Sequence, residues 1–559
     1  MAQLASSASS TSFSRRGFLG LTGAAGLALA AGSALGAGAS VAPRAALADD
    51  GKTVNLAVQT SIMSLDPLIS GDAVSMGVIS NCVEALFDVD PDGQIQPAAC
   101  ESYDVSDDQL TYTFHLRQGL TWSNGDPVTA NDFVYAWQRN ASSDGTAAQF
   151  QYQIEMAAIK NYEAVLAGDA EPSELGCKAV DDTTIEVTLE HPVAFLLNLL
   201  SFTPWVPVNQ KFCEAQGDQF GVGKDNILYS GAYVLDTYSM DNNTITLKKN
   251  PNYWDAANVG VDTVNLQVIA DTQQAVMSYE MQTVDYVELT GDLVSQYEGT
   301  EGFTSVPGVY NYYLMINTKK PGLDNQDFRQ ALAYAVDRES LCNDVLRDGS
   351  IPAHTMTMKG LCSNSEGKDF AEDCTQYFEF DTAKAQELWN GCKDGLGINS
   401  VTIVYDQEKD FAQKSCEFMQ SALQSTLEGL TVNIESTPKK NRLQKEEDHD
   451  YEIVLHAWGP DYADPTAILA MYESTHPSNY SQWANEDFDT TYDKANSEDS
   501  GDAKARWEDL KQCADICTEA AVCPPIFQTG SATLTRPSLT GHTNHLCGVK
   551  CFYKYMKLA

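Results

Sequence analysis

Residues 122–139 read WSNGDPVTANDFVYAWQR and mark a passage from a strand, through a turn, into a helix. The Asn-Gly-Asp-Pro run is a turn signal, and its proline fixes the backbone ahead of the helix. Thr129 is a good helix N-cap, with Asp132 at the third helical position. Residues 110–116 (LTYTFHL) alternate polar and apolar side chains before the turn, which is typical of a strand.

The same two patterns recur on either side of this stretch. Residues 53–58 (TVNLAV) and 183–189 (TTIEVTL) alternate like strands. Residues 327–346 place apolar side chains at helical spacing, so we predict an amphipathic helix there. Strand and helix patterns alternate again over residues 401–455, and no repeat or flexible linker interrupts them. The sequence therefore predicts a mixed α/β protein.

The chain has 559 residues, which is too long for one compact core. Domains typically hold about 100–200 residues, so two or three lobes are expected. Hydrophobic residues make up 43% of the chain, which is enough to fill ordinary cores.

The first 48 residues are predicted to be an export signal. Residues 14–19 (SRRGFL) resemble the twin-arginine motif, and a run of small, apolar residues follows them. Residues 46–48 (ALA) fit the small-x-small pattern before a signal-peptidase cut, so we predict a mature start at Asp49. An uncleaved membrane anchor is the alternative, but the run is rich in Gly and Ala rather than Leu and Ile. We therefore predict an exported protein, in the periplasm or at the outer face of the cell membrane.

The chain is strongly acidic, with 77 Asp and Glu residues against 35 Lys and Arg residues. The predicted signal holds three arginines and no acid, so the net charge changes from −42 for the whole chain to −45 for the mature part. Nucleic acids and anionic lipid surfaces both attract basic proteins, so this charge argues against both as partners. It indicates a well-solvated surface.

Fourteen cysteines in an exported chain predict some disulfide bonds. Cys362 and Cys374 are near neighbours, and Cys513, Cys517 and Cys523 are grouped, but pairing cannot be read from the sequence. A metal site is the alternative for the second group. Its spacing, however, lacks a second Cys-x-x-Cys pair or a partnering histidine.

Sequence motifs of hydrolases are missing. The chain has no Gly-x-Ser-x-Gly elbow, no His-Glu-x-x-His motif and no phosphate-binding loop. Asp461 and Asp464 could imitate a paired-carboxylate site, but their spacing and the following Pro465 suit a turn better. We predict that the chain is not an enzyme.

Five blocks of sequence occur in a characteristic order. They are residues 65–86, which begin with LDP and end with NCVEAL; residues 112–139; residues 230–254, which begin with SGAY and end with NPNYW; residues 317–338; and residues 458–465 (WGPDYADP). In this order they resemble the extracytoplasmic solute-binding proteins of peptide importers, specifically the oligopeptide-binding type. The resemblance extends from Asp49 to the C terminus.

This resemblance implies a periplasmic-binding-protein-like fold, with two hinged α/β lobes and a smaller inserted third domain. Lobe I would comprise residues 49–83, 212–309 and 527–559, domain II residues 84–211, and lobe III residues 310–526. The ligand would lie between lobes I and III and be buried when the hinge closes.

The implied function is capture of a short peptide and its delivery to the membrane permease of an ABC importer. The protein would act as a monomer, without a cofactor and without a nucleic-acid partner. An exported peptide sensor and a binder of another cargo, such as a nickel complex or haem, remain the alternatives. His449, His456 and His476 lie in the relevant region, but no two of them share a metal-ligand spacing.

Asp461 is expected to be the central binding residue. In the family, the acid of the Trp-x-x-Asp-Tyr motif receives the free α-amino group of the peptide, and Asp461 matches that position. A carboxylate in a closed cleft would form a charge-assisted hydrogen bond with the ammonium group. The resemblance also implies backbone contacts from Ala457 and Gly459, with residues 71–73 (Gly71, Asp72 and Ala73) on the facing lobe.

Three further side chains are weaker candidates for ligand contacts. Trp458 and Phe527 are expected to form walls of side-chain pockets, and Asn479 is expected to make a polar contact. Ordinary packing in a core or a loop is the alternative for each of them.

The anchor for the peptide carboxylate is less clear. Leu455 and Ala412 stand where family members place basic or histidine side chains. Lys439, Lys440 and Arg442 could supply the missing charge, although a solvated basic cluster is the commoner explanation.

Overall fold

The computed structural model describes residues 52–142, 150–238, 244–460 and 462–559. The chain divides into residues Met1–Asp49 and a compact unit, Asp50–Ala559. The predicted export signal and its cleavage point lie outside the described residues, so they stay predictions. No helix in the described part is both long and apolar enough to cross a membrane.

The strands follow one another along the whole compact unit. They are β1 (Thr53–Val58), β2 (Phe87–Val89), β3 (Ile95–Pro97), β4 (Cys100–Val105), β5 (Thr111–Leu116), β6 (Cys177–Asp181), β7 (Thr184–Thr188), β8 (Tyr233–Thr237), β9 (Thr244–Lys249), β10 (Thr263–Val268), β11 (Tyr286–Leu289), β12 (Phe303–Ile316), β13 (Ile351–Pro352), β14 (Ser400–Asp406), β15 (Thr431–Thr437), β16 (Ile453–Trp458), β17 (Pro525–Thr535), β18 (Leu539–Thr540) and β19 (Lys557–Leu558).

The helices lie between these strands. They are α1 (Ala73–Cys82), α2 (Ala130–Ala141), α3 (Gln151–Met156), α4 (Tyr162–Ala167), α5 (Leu196–Leu199), α6 (Gln210–Gln216), α7 (Thr272–Glu280), α8 (Asp292–Tyr297), α9 (Gln326–Tyr334), α10 (Arg338–Ser340), α11 (Phe370–Asp373), α12 (Thr382–Cys392), α13 (Asp410–Thr426), α14 (Lys439–Glu447), α15 (Thr466–Leu469), α16 (Glu486–Asn496) and α17 (Ala503–Glu519).

Two sheets organise these elements. The larger is an eleven-stranded sheet in the order β15-β14-β16-β12-β17-β11-β1-β10-β9-β8, with β13 also paired to β17. β1 runs parallel to β10 and β11, whereas β12 runs antiparallel to β16 and β17. The smaller sheet is antiparallel, has the order β4-β5-β7-β6, and lies within the residues assigned to domain II. The architecture confirms the predicted mixed α/β class.

The passage from β5 through a turn into α2 forms as predicted. Thr129 is the N-cap of α2, and its backbone N–H donates to the Asp132 carboxylate at 2.7 Å. Phe133 and Trp137 lie four residues apart on α2 and are both fully buried. A local capping box and one apolar face therefore determine this helix.

The helix predicted over residues 327–346 is interrupted in the structure. α9 ends at Tyr334, α10 begins at Arg338, and a π-helical turn follows over Leu341–Leu346. Asp337 caps the new helix by accepting from the backbone N–H of Ser340 at 3.0 Å. The buried Arg338 guanidinium donates to four backbone carbonyl oxygens, including that of Pro525 in β17. Tertiary hydrogen bonds thus compensate for the break in the helix.

β12 separates two apolar cores in the region assigned to lobe III. Tyr312, Leu314 and Ile316 belong to one core, and Tyr313 and Met315 to the other. Successive side chains of a strand point to opposite faces of the sheet, so a strand covered on both sides reads as an almost continuous apolar run.

The pairing between the long strands β12 and β17 is irregular near its middle. It is regular from Phe303 to Pro307 and resumes at Asn311. Residues 308–310 of β12 therefore oppose the single residue Thr529 of β17, which is a bulge. The predicted lobe boundaries at residues 309/310 and 526/527 fall at or beside this bulge, and they stay predictions.

The prediction of disulfide bonds is not supported, because no disulfide occurs in the described part of the chain. All fourteen cysteines lie in described residues, and none of them forms a disulfide bond. Cys513, Cys517 and Cys523 are buried in one apolar core without being linked. Burial raises the pKa of the Cys177 thiol to about 12. These cysteines pack as small apolar side chains.

Candidate functional site

The carboxyl end of β16 holds two predicted site residues, Ala457 and Trp458. On one side, β12 pairs with β16 along its full length. On the other side, β14 pairs with it only at Ile453 and Val454. From Leu455 onward, no strand of the described ranges pairs with that edge. Leu455 and His456 are buried, Ala457 and Trp458 are half-buried, and none of them is in the lining of the central cavity described below. The role of Ala457 and Gly459 as backbone contacts stays a prediction.

Gly459 continues the chain past this strand and packs against an aromatic ring. A Cβ atom at this position would lie 2.9 Å from Tyr310 Cε1, closer than side chains tolerate. Tyr310 belongs to the bulge in β12 and is 47% exposed. The absence of a side chain therefore lets the backbone at Gly459 lie directly on the Tyr310 ring.

The residues that follow Asp461 in the chain are held in place by two contacts. Asp461 itself lies outside the described residues. The Tyr462 ring stacks on Phe195, with ring centroids 4.0 Å apart. Asp464 accepts two hydrogen bonds from the Arg506 guanidinium, at 2.7 and 2.8 Å, and both side chains are buried. An aromatic stack and a bidentate ion pair thus hold the chain that carries Asp461.

A cavity of about 420 Å³ lies beside this segment, and we call it the central cavity. Its lining includes Ala73 and Met76 from α1, residues 307–310, Pro460, residues 529–531 and residues 544–548. These residues come from both predicted lobes and from the β12–β17 bulge. Pro460 directly precedes Asp461 in the chain.

Residues 71–73, the predicted backbone contacts on the facing lobe, lie at the start of helix α1, beside the central cavity. Gly71 and Ala73 are exposed, and Ala73 lines the cavity. Asp72 is the N-cap and accepts from the backbone N–H of Ser75 at 2.9 Å. Its other carboxylate oxygen, Oδ2, is buried without a hydrogen-bond partner. Ala73 thus lies on the same cavity as Pro460, whereas Gly71 and Asp72 are not in its lining.

The three predicted side-chain contacts pack against protein. Phe527 is fully buried and stacks on Tyr312, with ring centroids 4.8 Å apart. The Asn479 amide nitrogen donates to the backbone carbonyls of Glu473 and Trp483. Trp458 packs against an apolar core, and its indole N–H is buried without a partner. None of the three lines the central cavity, so their role as ligand contacts stays a prediction.

A second cavity, of about 230 Å³, adjoins the central one, and we call it the lobe I pocket. Its lining includes residues 56–60, which form and follow the end of β1, and residues 542–544 near the C terminus. Ala73, Asn544 and Lys550 line both cavities. The two cavities therefore adjoin along these three residues.

The wall of the lobe I pocket contains an uncharged histidine. The His542 ring lies 4.0 Å from the Tyr286 ring between centroids. Burial, together with the nearby positive charge of Lys550, lowers the pKa of His542 to about 4. An imidazole with this pKa is neutral near neutral pH.

We expect the His542→Phe variant to lose less free energy of unfolding than the unmodified protein when the pH is lowered. Between pH about 6.5 and about 4, the unfolded chain binds a proton at His542 that the folded chain does not. The free energy of unfolding therefore falls as the pH falls through this window, and phenylalanine removes this contribution. Denaturant unfolding at pH 7 and pH 5 measures the difference, with the exposed His191→Phe as control. Equal pH dependence of His542→Phe and the unmodified protein would contradict the expectation.

Comparison with known proteins identifies the family. The model of the bacterial extracellular solute-binding proteins, family 5 Middle, matches residues 94–480. The chain belongs to this family. A dipeptide-binding protein of Lactococcus lactis subsp. cremoris is 31% identical over 515 residues, which cover 89% of this chain and 93% of that protein. The resemblance seen in the sequence is thus confirmed.

Solved structures of family 5 proteins share the fold of this chain. OppA of Listeria monocytogenes bound to peptide is 32% identical, with a TM-score of 0.70 and coverage of 91% of this chain and 99% of that chain. The unliganded open form of the murein tripeptide-binding protein MppA is 25% identical, with a TM-score of 0.80 and coverage of 91% and 98%. The TM-score is thus higher for the unliganded open form of MppA than for peptide-bound OppA.

The basic residues considered as carboxylate anchors do not line either cavity. Arg442 Nε donates to Asp406 Oδ1 at 2.6 Å, and its Nη1 pairs with Glu446 in a buried network. Lys439 and Lys440 are exposed at the start of α14. Arg442 is therefore committed to structural ion pairs.

Two other lysines lie near the central cavity, and no sequence motif pointed to either of them. Lys550 lines the cavity, and its Nζ lies 3.2 Å from Glu288 Oε1. Lys409 Nζ lies 2.8 Å from the Tyr312 hydroxyl and faces the ring of Tyr310, which lines the cavity. Both are single lysines in loops, and only the tertiary structure brings Lys550 to this cavity and Lys409 to the Tyr310 ring.

Proposed function

We propose that this family 5 protein captures short peptides in the central cavity and delivers them to the permease of an ABC importer. The observation that carries the proposal is the cavity itself, which lies between the two predicted lobes and next to the residue preceding Asp461. Relatives in the family include dipeptide-binding and oligopeptide-binding proteins. The protein acts as an exported monomer that binds and does not hydrolyse its ligand.

In this proposal, two features hold the peptide. Asp461 accepts the hydrogen bonds of the α-ammonium group, a charge-assisted interaction that strengthens as the closing lobes exclude water. The carboxyl end of β16, which has no β14 partner beyond Val454, pairs with the peptide backbone together with Gly459 as the lobes close. Backbone pairing gives affinity for many sequences, whereas the ammonium contact fixes the register of the peptide.

The proposed export route is the twin-arginine pathway, with the permease as the membrane partner. The feature that supports this route is the SRRGFL motif at residues 14–19. The alternatives of a sensor or of a nickel or haem cargo are not favoured. In the described ranges, no three His, Cys, Asp or Glu residues are grouped so that they could hold a metal ion.

Mass spectrometry of the protein, exported from its native host and purified without denaturation, tests the proposal. We expect ligands released by acid to be peptides of a few residues with free amino termini. Incubation of a recovered peptide with fresh protein should leave its mass unchanged. Recovery of only non-peptide molecules, or cleavage of the peptide, would overturn the proposed function.

A further inference from the structure

The residues assigned to domain II are fixed to those assigned to lobe I by charged and aromatic contacts. The Arg139 guanidinium in α2 donates to both oxygens of the buried Asp66 carboxylate, at 2.9 and 2.6 Å. The Arg117 guanidinium lies over the Trp254 ring, 3.9 Å from its centroid. A bidentate ion pair and a cation–π contact resist relative movement of the parts that they join. Domain II and lobe I therefore form one packed body.

One segment of lobe III extends into the apolar core of this body. Tyr462 and Ala467 belong to a core whose other buried members come from residues 54–286 and 539–556. The next residues of α15, Ile468 and Leu469, belong instead to a core of lobe III. The short helix α15 is thus shared between lobe III and the body that contains domain II.

The Phe195 ring of domain II supports this segment. Phe195 lies just before α5 and is half-buried. Its ring is stacked on that of Tyr462, with centroids 4.0 Å apart and planes 20° apart. Tyr462 is buried, and its hydroxyl lies 3.2 Å from Thr466 Oγ1. Because Tyr462 directly follows Asp461 in the chain, a ring from domain II fixes the neighbour of the predicted ligand anchor.

Domain II meets lobe III at two further places. A Cβ atom at Gly501 would overlap with the Gln109 amide nitrogen, so the Gln109 side chain lies directly against the backbone of lobe III. Burial lowers the pKa of His476, and the negative charges of Glu473 and of Glu155 in domain II oppose this effect. The stack on Tyr462 is therefore part of a wider surface between domain II and lobe III.

We propose that Phe195 is a positioning residue for ligand capture: by holding Tyr462, it fixes the backbone that presents Asp461 to the peptide ammonium group. The inference rests on the proposed function and gives domain II a part in it. An acceptor that is already in place spares the ligand the cost of ordering a loose segment. Without the ring, the same carboxylate gains less from the same hydrogen bonds.

Titration of the exported protein with trialanine tests the inference, in a cycle of Phe195→Ala, Asp461→Ala and the double variant. We expect Phe195→Ala to weaken binding about fivefold, the scale of one aromatic stack. Phe195→Tyr keeps the ring and should retain the affinity. In the Asp461→Ala background, Phe195→Ala should have no further effect, because the residue that it positions is gone. Calorimetry measures the tight complexes, and peptide-observed NMR measures the weak ones.

Tyr103→Ala is the matched control. Tyr103 belongs to domain II, is exposed and lines neither cavity. Its ring packs on Phe87 of the same domain, with centroids 5.8 Å apart. This variant also loses an aromatic contact of domain II, but not one to lobe III, and should bind trialanine like the unmodified protein. If Phe195→Ala melts below the unmodified protein, Phe195→Leu takes its place with the same expectations, because it keeps an apolar side chain without a ring.

Several results would overturn the inference and leave peptide capture standing. They are an unchanged affinity of Phe195→Ala, an equal loss in Phe195→Tyr or in Tyr103→Ala, and an equal loss in the Asp461→Ala background, which would show a general structural effect. If Asp461→Ala itself binds trialanine unchanged, the inference fails together with the role assigned to Asp461. If the unmodified protein does not bind trialanine, the inference and the proposed function both fail.

Discussion

Arg506→Met will lower the free energy of unfolding by about 3–5 kcal/mol, because it leaves the Asp464 carboxylate buried without its partner. Asp464 accepts two hydrogen bonds from Arg506, at 2.7 and 2.8 Å, and both side chains are buried. Its remaining partners, the hydroxyl and backbone N–H of Thr466, carry no charge. Denaturant unfolding monitored by circular dichroism measures the change.

The double variant Asp464→Asn/Arg506→Met is the control for this effect. It removes both charges, so its loss of stability should be smaller than the sum of the losses in the two single variants. An additive result would show that the two side chains do not act as a buried ion pair. Peptide affinity should fall as well, because the pair holds the segment that carries Asp461.

Asp461→Ala is expected to weaken the binding of peptides with free amino termini by about 1–3 kcal/mol, or roughly 5- to 150-fold in Kd. The carboxylate is proposed to accept hydrogen bonds from the peptide ammonium group within a cleft that excludes water. N-acetylated peptides lack this charge, so they should bind the unmodified protein poorly and be affected little by the substitution. Isothermal titration calorimetry with each peptide in both forms measures the effect.

Asp394→Ala serves as the control for the loss of an acid. Asp394 is exposed and lines neither cavity, so its substitution should not change the affinity for either form of the peptide. Equal affinity of the unmodified protein for free and acetylated peptides would refute the role assigned to Asp461. If Asp461→Ala and Asp394→Ala lowered the peptide affinity by the same amount, the cause would be a general effect of charge instead.

The sequence offered candidates for the site because short motifs carry them. The WGPDYADP block at residues 458–465 led to the prediction of Asp461, and the resemblance led to the prediction of residues 71–73 on the facing lobe; both stay predictions. Ala73 and Pro460 do line the same cavity. By contrast, Arg442 was considered as a ligand anchor, but its guanidinium is committed to Asp406 and Glu446. Sequence shows that a residue is charged, but it does not show which partner neutralises it.

The sequence by itself determined the local elements and the family. Alternation of side chains predicted β5, and the Thr129–Asp132 capping box predicted α2, because both signals lie within a few residues of one another. Only the tertiary structure decided that Asp337 and Arg338 interrupt a helical pattern, and that the cysteines remain unlinked. It also joined Ala73 and Gly77 to residues 542–544 around one pocket. Such contacts depend on how distant segments pack, and the periodicity of any one segment does not encode them.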